Sequence, residues 1–192
     1  MRLRGCEITR PETPKPRHQN DHFFMLKYAN YDIVFQEVPD EVTLAINITN
    51  CPNHCVGCHS PYLWEDRGTV LDRTELDQLI KKYASGITCV CFMGGDASPY
   101  DVANLAMYLK GQHPKLKAGW YSGKNELPTA FHDEVFDYIK LGRYEAQFGP
   151  LDSPTTNQRM MKRLADGRIK DITERFRQNK QSQELTQVRV QM

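Results

Sequence analysis

Apolar and polar positions along this chain repeat with two periods, and the switches between them mark out strands and helices. Short extended candidates lie around Ile33–Phe35. Val42-Thr43-Leu44-Ala45-Ile46-Asn47-Ile48 is mostly apolar and β-branched, which predicts a strand. From Leu71 to Tyr83 the period changes. Leu76, Leu79, Ile80 and Tyr83 fall at i, i+3, i+4 and i+7, one stripe of a helix. Asp72 can cap that helix, and Glu75 stands three residues later in the capping-box position. Gly86 ends the unit. Ile87 to Met93 is nearly all apolar, as expected of a strand covered on both faces. It runs into Gly94-Gly95-Asp96. Ser98-Pro99 then supplies a cap and a first helical residue, and Val102, Leu105, Ala106 and Leu109 repeat the helical stripe up to Gly111. Ala118–Ser122 predicts a strand, Thr129–Phe136 a short helix and Tyr138–Leu141 a further strand.

Beyond Gly142 the pattern weakens. Residues 143–158 form a polar loop with Gly149-Pro150 and Ser153-Pro154. Arg159–Leu164 fits a strand or a helix equally, and Asp166-Gly167 marks a turn. Residues 1–24 carry Pro11, Pro14 and Pro16 among scattered charges and predict a disordered tail, with Met25 a candidate translation start. Residues 177–192 predict a second polar tail. One domain is therefore expected over 25–176. Its strand–helix alternation argues for βαβ units, an α/β fold with a parallel sheet.

Composition changes this picture little. Lysine plus arginine number 25 and aspartate plus glutamate 24 in 192 residues, a formal charge of +1. That balance offers no electrostatic footprint for nucleic acid or an anionic membrane. No apolar run approaches spanning length and the start lacks a signal-peptide core, so a cytoplasmic protein is expected. The cysteines change it more. Cys51, Cys55 and Cys58 sit within eight residues, just past the 42–48 strand. In a reducing compartment such a cluster suggests a metal. If the 42–48 and 87–93 strands are sheet neighbours, the cysteine loop and Gly94-Gly95-Asp96 share one rim, where α/β proteins place their sites. Structural zinc is one candidate, with His54 or His59 as fourth ligand, although its ligands usually come as two separated pairs and no second pair exists. Cys89 and Cys91, at i and i+2 of a buried strand, are expected to be inert thiols, and Cys6 incidental. An iron–sulfur cluster commonly takes four thiolates, so three would leave one iron open.

Cys51-x3-Cys55-x2-Cys58, followed by Gly94-Gly95-Asp96 at the next strand end, resembles the signature of the radical S-adenosyl-L-methionine (SAM) superfamily. Gly57-Cys58-His59-Ser60-Pro61 with Trp64 is similar to the cluster loop of its glycyl-radical activating enzymes. Trp120-Tyr121-Ser122-Gly123 and Asn157-Gln158-Arg159 extend the likeness over roughly residues 25–176. The family's usual acid is Glu, and Asp96 shortens the reach by one methylene.

The resemblance implies an incomplete (βα) barrel of about five or six strands, mostly parallel with outer helices. The length suits a trimmed form, since a full eight-fold barrel takes about 200 residues or more. It implies a [4Fe-4S] cluster on Cys51, Cys55 and Cys58, and SAM held by Gly57, Cys58, His59, Gly94, Gly95 and Asp96. It implies no catalytic side chain beyond the cofactors. The partner it implies is the glycyl-radical subunit of an anaerobic ribonucleoside-triphosphate reductase, with a flavodoxin or ferredoxin as electron donor. Pyruvate formate-lyase as the activated enzyme, a small-molecule radical SAM reaction and a zinc-stabilised interaction module are the alternatives. Trp64 and Trp120 are expected in packing roles, Ser122 as a polar neighbour of SAM, and Asn157–Arg159 as a partner contact or a plain polar loop.

Overall fold

A computed structural model describes residues 26–83 and 85–178. The expected tail at 1–24 lies outside the described residues, as does most of the one expected at 177–192.

The described elements are β1 (Lys27–Val34), β2 (Thr43–Ile48), β3 (Thr69–Val70), α1 (Arg73–Tyr83), β4 (Cys89–Met93), α2 (Pro99–Gln112), β5 (Lys117–Tyr121), β6 (Tyr138–Leu141), β7 (Arg159–Arg163) and β8 (Ile169–Asp171). All strands join one eight-stranded sheet of order β3-β1-β2-β4-β5-β6-β7-β8. The fold is α/β, but the sheet is not mostly parallel as expected. Its centre is parallel: β2–β4, β4–β5 and β5–β6. Its flanks, β3–β1, β1–β2, β6–β7 and β7–β8, are antiparallel. Connections explain the split. Parallel neighbours need a crossover, which α1 supplies for β2–β4, α2 for β4–β5 and the long excursion over 122–137 for β5–β6, whereas β1–β2 and β7–β8 are joined by short returns that suit antiparallel pairing.

The helices form for the reasons legible in their sequence. The Asp72 carboxylate accepts the Glu75 N–H at 2.8 Å and caps α1. The Glu75 carboxylate does not close the capping box. It accepts the Tyr28 hydroxyl at 2.6 Å, tying the helix to β1. Pro99 opens α2, although the Ser98 side chain makes no capping bond. The buried stripes Leu76, Leu79, Ile80 and Val102, Leu105, Ala106, Leu109 pack with Leu44, Ile46, Ile48, Val90, Phe92 and Trp120 in one core. The alternate strand residues Cys89, Cys91, Tyr138 and Met160 meet Val38 and Ile172 in a smaller cluster on the other face.

One helix expectation needs correction, and one open stretch resolves. The helix expected over 129–136 is only a 3₁₀ turn at Asp133–Val135. Ala130 takes a left-handed φ of 54°, and Phe136 is extended. Phe131 and Phe136 both lie against Trp120, with ring centroids 5.0 and 5.8 Å away. Residues five apart on an α-helix point well away from each other, so burying both rings on one indole opposes the helix. The undecided stretch at 159–164 is the strand β7. The turn at Gly167, whose N–H donates to the Leu164 carbonyl at 2.9 Å, leads into β8, a strand too short and polar to be foreseen.

Candidate functional site

β2 and β4 are parallel neighbours in register Thr43↔Cys89 to Asn47↔Met93, so the chains leaving them emerge on the same rim. β5 and β6 deliver Ser122-Gly123-Lys124 and Leu141-Gly142 there as well. The cysteine loop coils tightly because Asn50, His54 and Gly57 adopt φ of 60°, 44° and 75°. Its start is pinned by the Asn50 and Cys51 N–H groups, which donate to the Glu65 and Leu63 carbonyls at 3.1 and 2.9 Å. Cys55 is buried, while Cys51 and Cys58 are half-buried. The Cys58 thiol accepts the Ser60 N–H at 3.4 Å, and its own N–H turns back to the Cys55 carbonyl at 3.1 Å. Burial pushes the Cys51 thiol up, with Asp96, Cys55 and Cys58 adding to the rise and a bond from the Asn53 backbone opposing it. A bound cation would reverse that balance.

Asp96 is the hub of the rim. Its Oδ2 accepts the Asn53 carboxamide at 2.5 Å and the Gly123 N–H at 2.8 Å, and its Oδ1 accepts the Ser122 hydroxyl at 2.6 Å. Asn53 lies between Cys51 and Cys55, so this bond joins the two motifs directly. Its carboxamide also lies 3.7 Å from the Cys51 sulfur. A carboxylate offers about four lone-pair positions. Three neutral donors leave acceptor capacity for one cationic group. The Gly94-Gly95 turn that presents Asp96 has φ of 103° and 88°. The Trp120 indole N–H donates to the Gly94 carbonyl at 2.8 Å, so this expected packing residue also fixes the turn. A Cβ on Gly95 would come within 2.5 Å of Val102.

Gly123 gives a test of this geometry. A Cβ there would lie 2.3 Å from the Asn53 Nδ2, so Gly123→Ala displaces Asn53 from Asp96. The expected cost is about 1.5–3 kcal/mol, the scale of a hydrogen bond to a charged group. In an Asn53→Ala background the same substitution becomes nearly neutral, read as a double-mutant cycle by urea unfolding. Equal costs in the two backgrounds would contradict the Asn53–Asp96 link.

Four residues on the rim had not been singled out. Asn53 is one. Lys140 is another, an amine buried at the end of β6. Burial pushes its ammonium down to about 8, against the pull of Asp96 and Cys55. Arg143 and Tyr144 are the others. Arg143 donates to the Asn53 carbonyl at 3.4 Å, and the Tyr144 ring stands edge-on to His59 at 5.7 Å between centroids. Asn157 holds this segment, donating to the Arg143 carbonyl at 3.1 Å. The strand pattern hid Lys140, which alternates with Ile139 and Leu141 as a solvent-facing lysine would. The other three were hidden by polar loop composition. His59 itself is exposed, and Val56, at 86% exposure, edges a groove of about 480 Å³ shared with residues 143–147. Cys89 and Cys91 lie buried below the rim, their thiols raised by burial.

Among the described residues, no three Cys, His, Asp or Glu side chains are gathered as donors to a single metal ion. No described helix is long and apolar enough to cross a membrane. Comparison with protein-family models, curated proteins and solved structures finds no match.

Proposed function

We propose that the chain is a radical SAM enzyme. Within that class, we propose that it is a glycyl-radical activating enzyme acting on anaerobic ribonucleoside-triphosphate reductase, fed by a flavodoxin or ferredoxin. The observation that carries the reading is the Asn53–Asp96 bond at 2.5 Å, which brings the three-thiol loop and the Gly-Gly-Asp turn to one rim. The parallel centre β2-β4-β5-β6 supports a trimmed, incomplete barrel as its architectural setting.

The residues fit the group. Three thiols on one tight loop that do not converge on a single metal ion suit the separate irons of a cluster, with one iron kept for its co-substrate, better than a closed zinc site. The indole N–H of Trp64, beside the loop through its ring contact with His54, is buried and finds no partner among the described residues. A donor of that kind suits sulfur acceptors. Cys51, Cys55 and Cys58 would hold the cluster. When bound, cluster and SAM supply one-electron cleavage of a sulfonium bond and, through it, removal of a hydrogen atom from a glycine Cα of the partner.

The chain's own residues bind and orient. Asp96, held by Asn53, Ser122 and Gly123, offers its remaining acceptor capacity to the methionyl ammonium. Gly57, Gly94 and Gly95 keep the backbone free of Cβ atoms where a ligand must come close. Cys58 and His59 would contribute main-chain contacts. The 143–149 segment, fastened by Asn157, lies against the loop's outer side through Arg143 and Tyr144. The groove beside Val56 offers the partner's glycine-bearing segment a place to approach.

The test is anaerobic incubation with SAM, a reductant and the candidate reductase, followed by electron paramagnetic resonance. A glycyl radical on the reductase is expected. SAM cleavage without that radical would remove the partner assignment and leave the chemistry. Neither cleavage nor radical would remove both.

A further inference from the structure

We propose that Lys140 supplies the buried positive charge that offsets the thiolates of the cysteine loop and raises the reduction potential of the cluster they hold. This rests on the cluster reading above. The register Asn47↔Met93↔Tyr121↔Lys140 lays these four residues in one row across the sheet, the last paired position of the parallel strands on the rim side. Lys140 is 8% exposed. Its Nζ donates to the Gly142 carbonyl at 2.6 Å and lies 5.9 Å from the centre of the Tyr121 ring. Among the described residues it forms no ion pair. An ammonium has three donors, and one carbonyl is a poor return for its lost hydration. The negative charge that balances it is the rim itself: Asp96 and Cys55 are the groups acting on it electrostatically. Cys55 is the buried member of the three-thiol loop.

With all three cysteines ionised, the rim carries three thiolate charges and that of Asp96. Arg143 reaches the loop only from its outer, exposed side, where solvent screens its charge. Lys140 acts through the low-dielectric interior, where one charge weighs most. A reduced cluster carries one more negative charge than an oxidised one. A fixed cation nearby therefore favours reduction, and net charge is one of the levers that sets such potentials. The residue is a positioning and charge residue; it need not touch the reacting atoms.

Three variants of the full chain, reconstituted anaerobically with iron and sulfide and kept free of SAM, separate charge from structure. Lys140→Gln keeps a donor for the Gly142 carbonyl and loses the charge. Lys140→Met loses both. Lys140→Arg keeps the charge. The readout is the cluster midpoint potential at neutral pH, from a redox titration followed by electron paramagnetic resonance. Gln and Met are expected to lower it by at least about 59 mV, a tenfold shift in a one-electron equilibrium. Arg is expected to stay nearer the parent than the Gln variant. Loss of cluster loading in both uncharged variants, with normal loading in Lys140→Arg, also supports the charge role. Equal potentials across the set, an Arg variant as low as Gln, or loss of loading in all three overturns it. A parent chain that takes up no iron and sulfide overturns the cluster reading instead.

Discussion

Cys55→Ala is expected to leave the chain folded and to abolish both cluster retention and SAM cleavage. Cys55 is the most enclosed of the three loop thiols, and its carbonyl accepts the Cys58 N–H at 3.1 Å. The substitution keeps that backbone turn and removes only a sulfur. A small buried cysteine behaves as a modest hydrophobe, so the stability cost is about 1–2 kcal/mol. The functional cost is far larger. Two thiolates cannot replace three in holding a cluster that keeps one iron open. Iron and sulfide should fall to background, the visible absorption should vanish, and 5′-deoxyadenosine formation should drop at least 100-fold. A Cys55→Ala protein that retains its cluster and cleaves SAM would remove Cys55 from the ligand set. Cys89→Ala, in the smaller core cluster below the rim, is the control and should load normally.

Asp96→Asn should produce the second largest effect. Its carboxylate accepts from Asn53, Ser122 and Gly123, all donors. An amide in its place presents an NH₂ to at least one of them, which breaks a bond and opposes two donors. It also removes the charge that would receive the methionyl ammonium. A hydrogen bond to a charged group is worth about 1.5–3 kcal/mol, so SAM affinity should fall roughly 10- to 150-fold. Calorimetric titration of the cluster-loaded protein measures this directly. Cluster content should stay near parent levels, because Asp96 belongs to the co-substrate side of the rim. Unchanged SAM affinity would show that Asp96 is a structural tie alone.

The sequence carried much of this site and less of the fold. The helical stripes of α1 and α2 and the apolar runs of β2, β4, β5 and β6 could be read from period alone, because each buries one continuous face. The adjacency of the cysteine loop and Gly94-Gly95-Asp96 followed from sequential strands being neighbours, and β2–β4 pairing places them so. The antiparallel flanks were not legible. β3 and β8 are two and three residues long, too short for any period, and form because an edge is there to pair with. The lost helix at 129–136 reflects tertiary packing of Phe131 and Phe136 on Trp120 overriding local propensity. Asn53 and Lys140 escaped for opposite reasons. Asn53 is an ordinary loop residue whose role depends on a contact 43 positions away. Lys140 alternates with Ile139 and Leu141 as a solvent-facing lysine would, and only the covering of the second sheet face buries it.

The most direct measurement is 5′-deoxyadenosine formation by the anaerobically reconstituted full chain given SAM and a strong reductant, followed by chromatography. The account predicts product that requires reductant, iron and sulfide together. A colourless protein that binds zinc and returns SAM intact under the same conditions would contradict it.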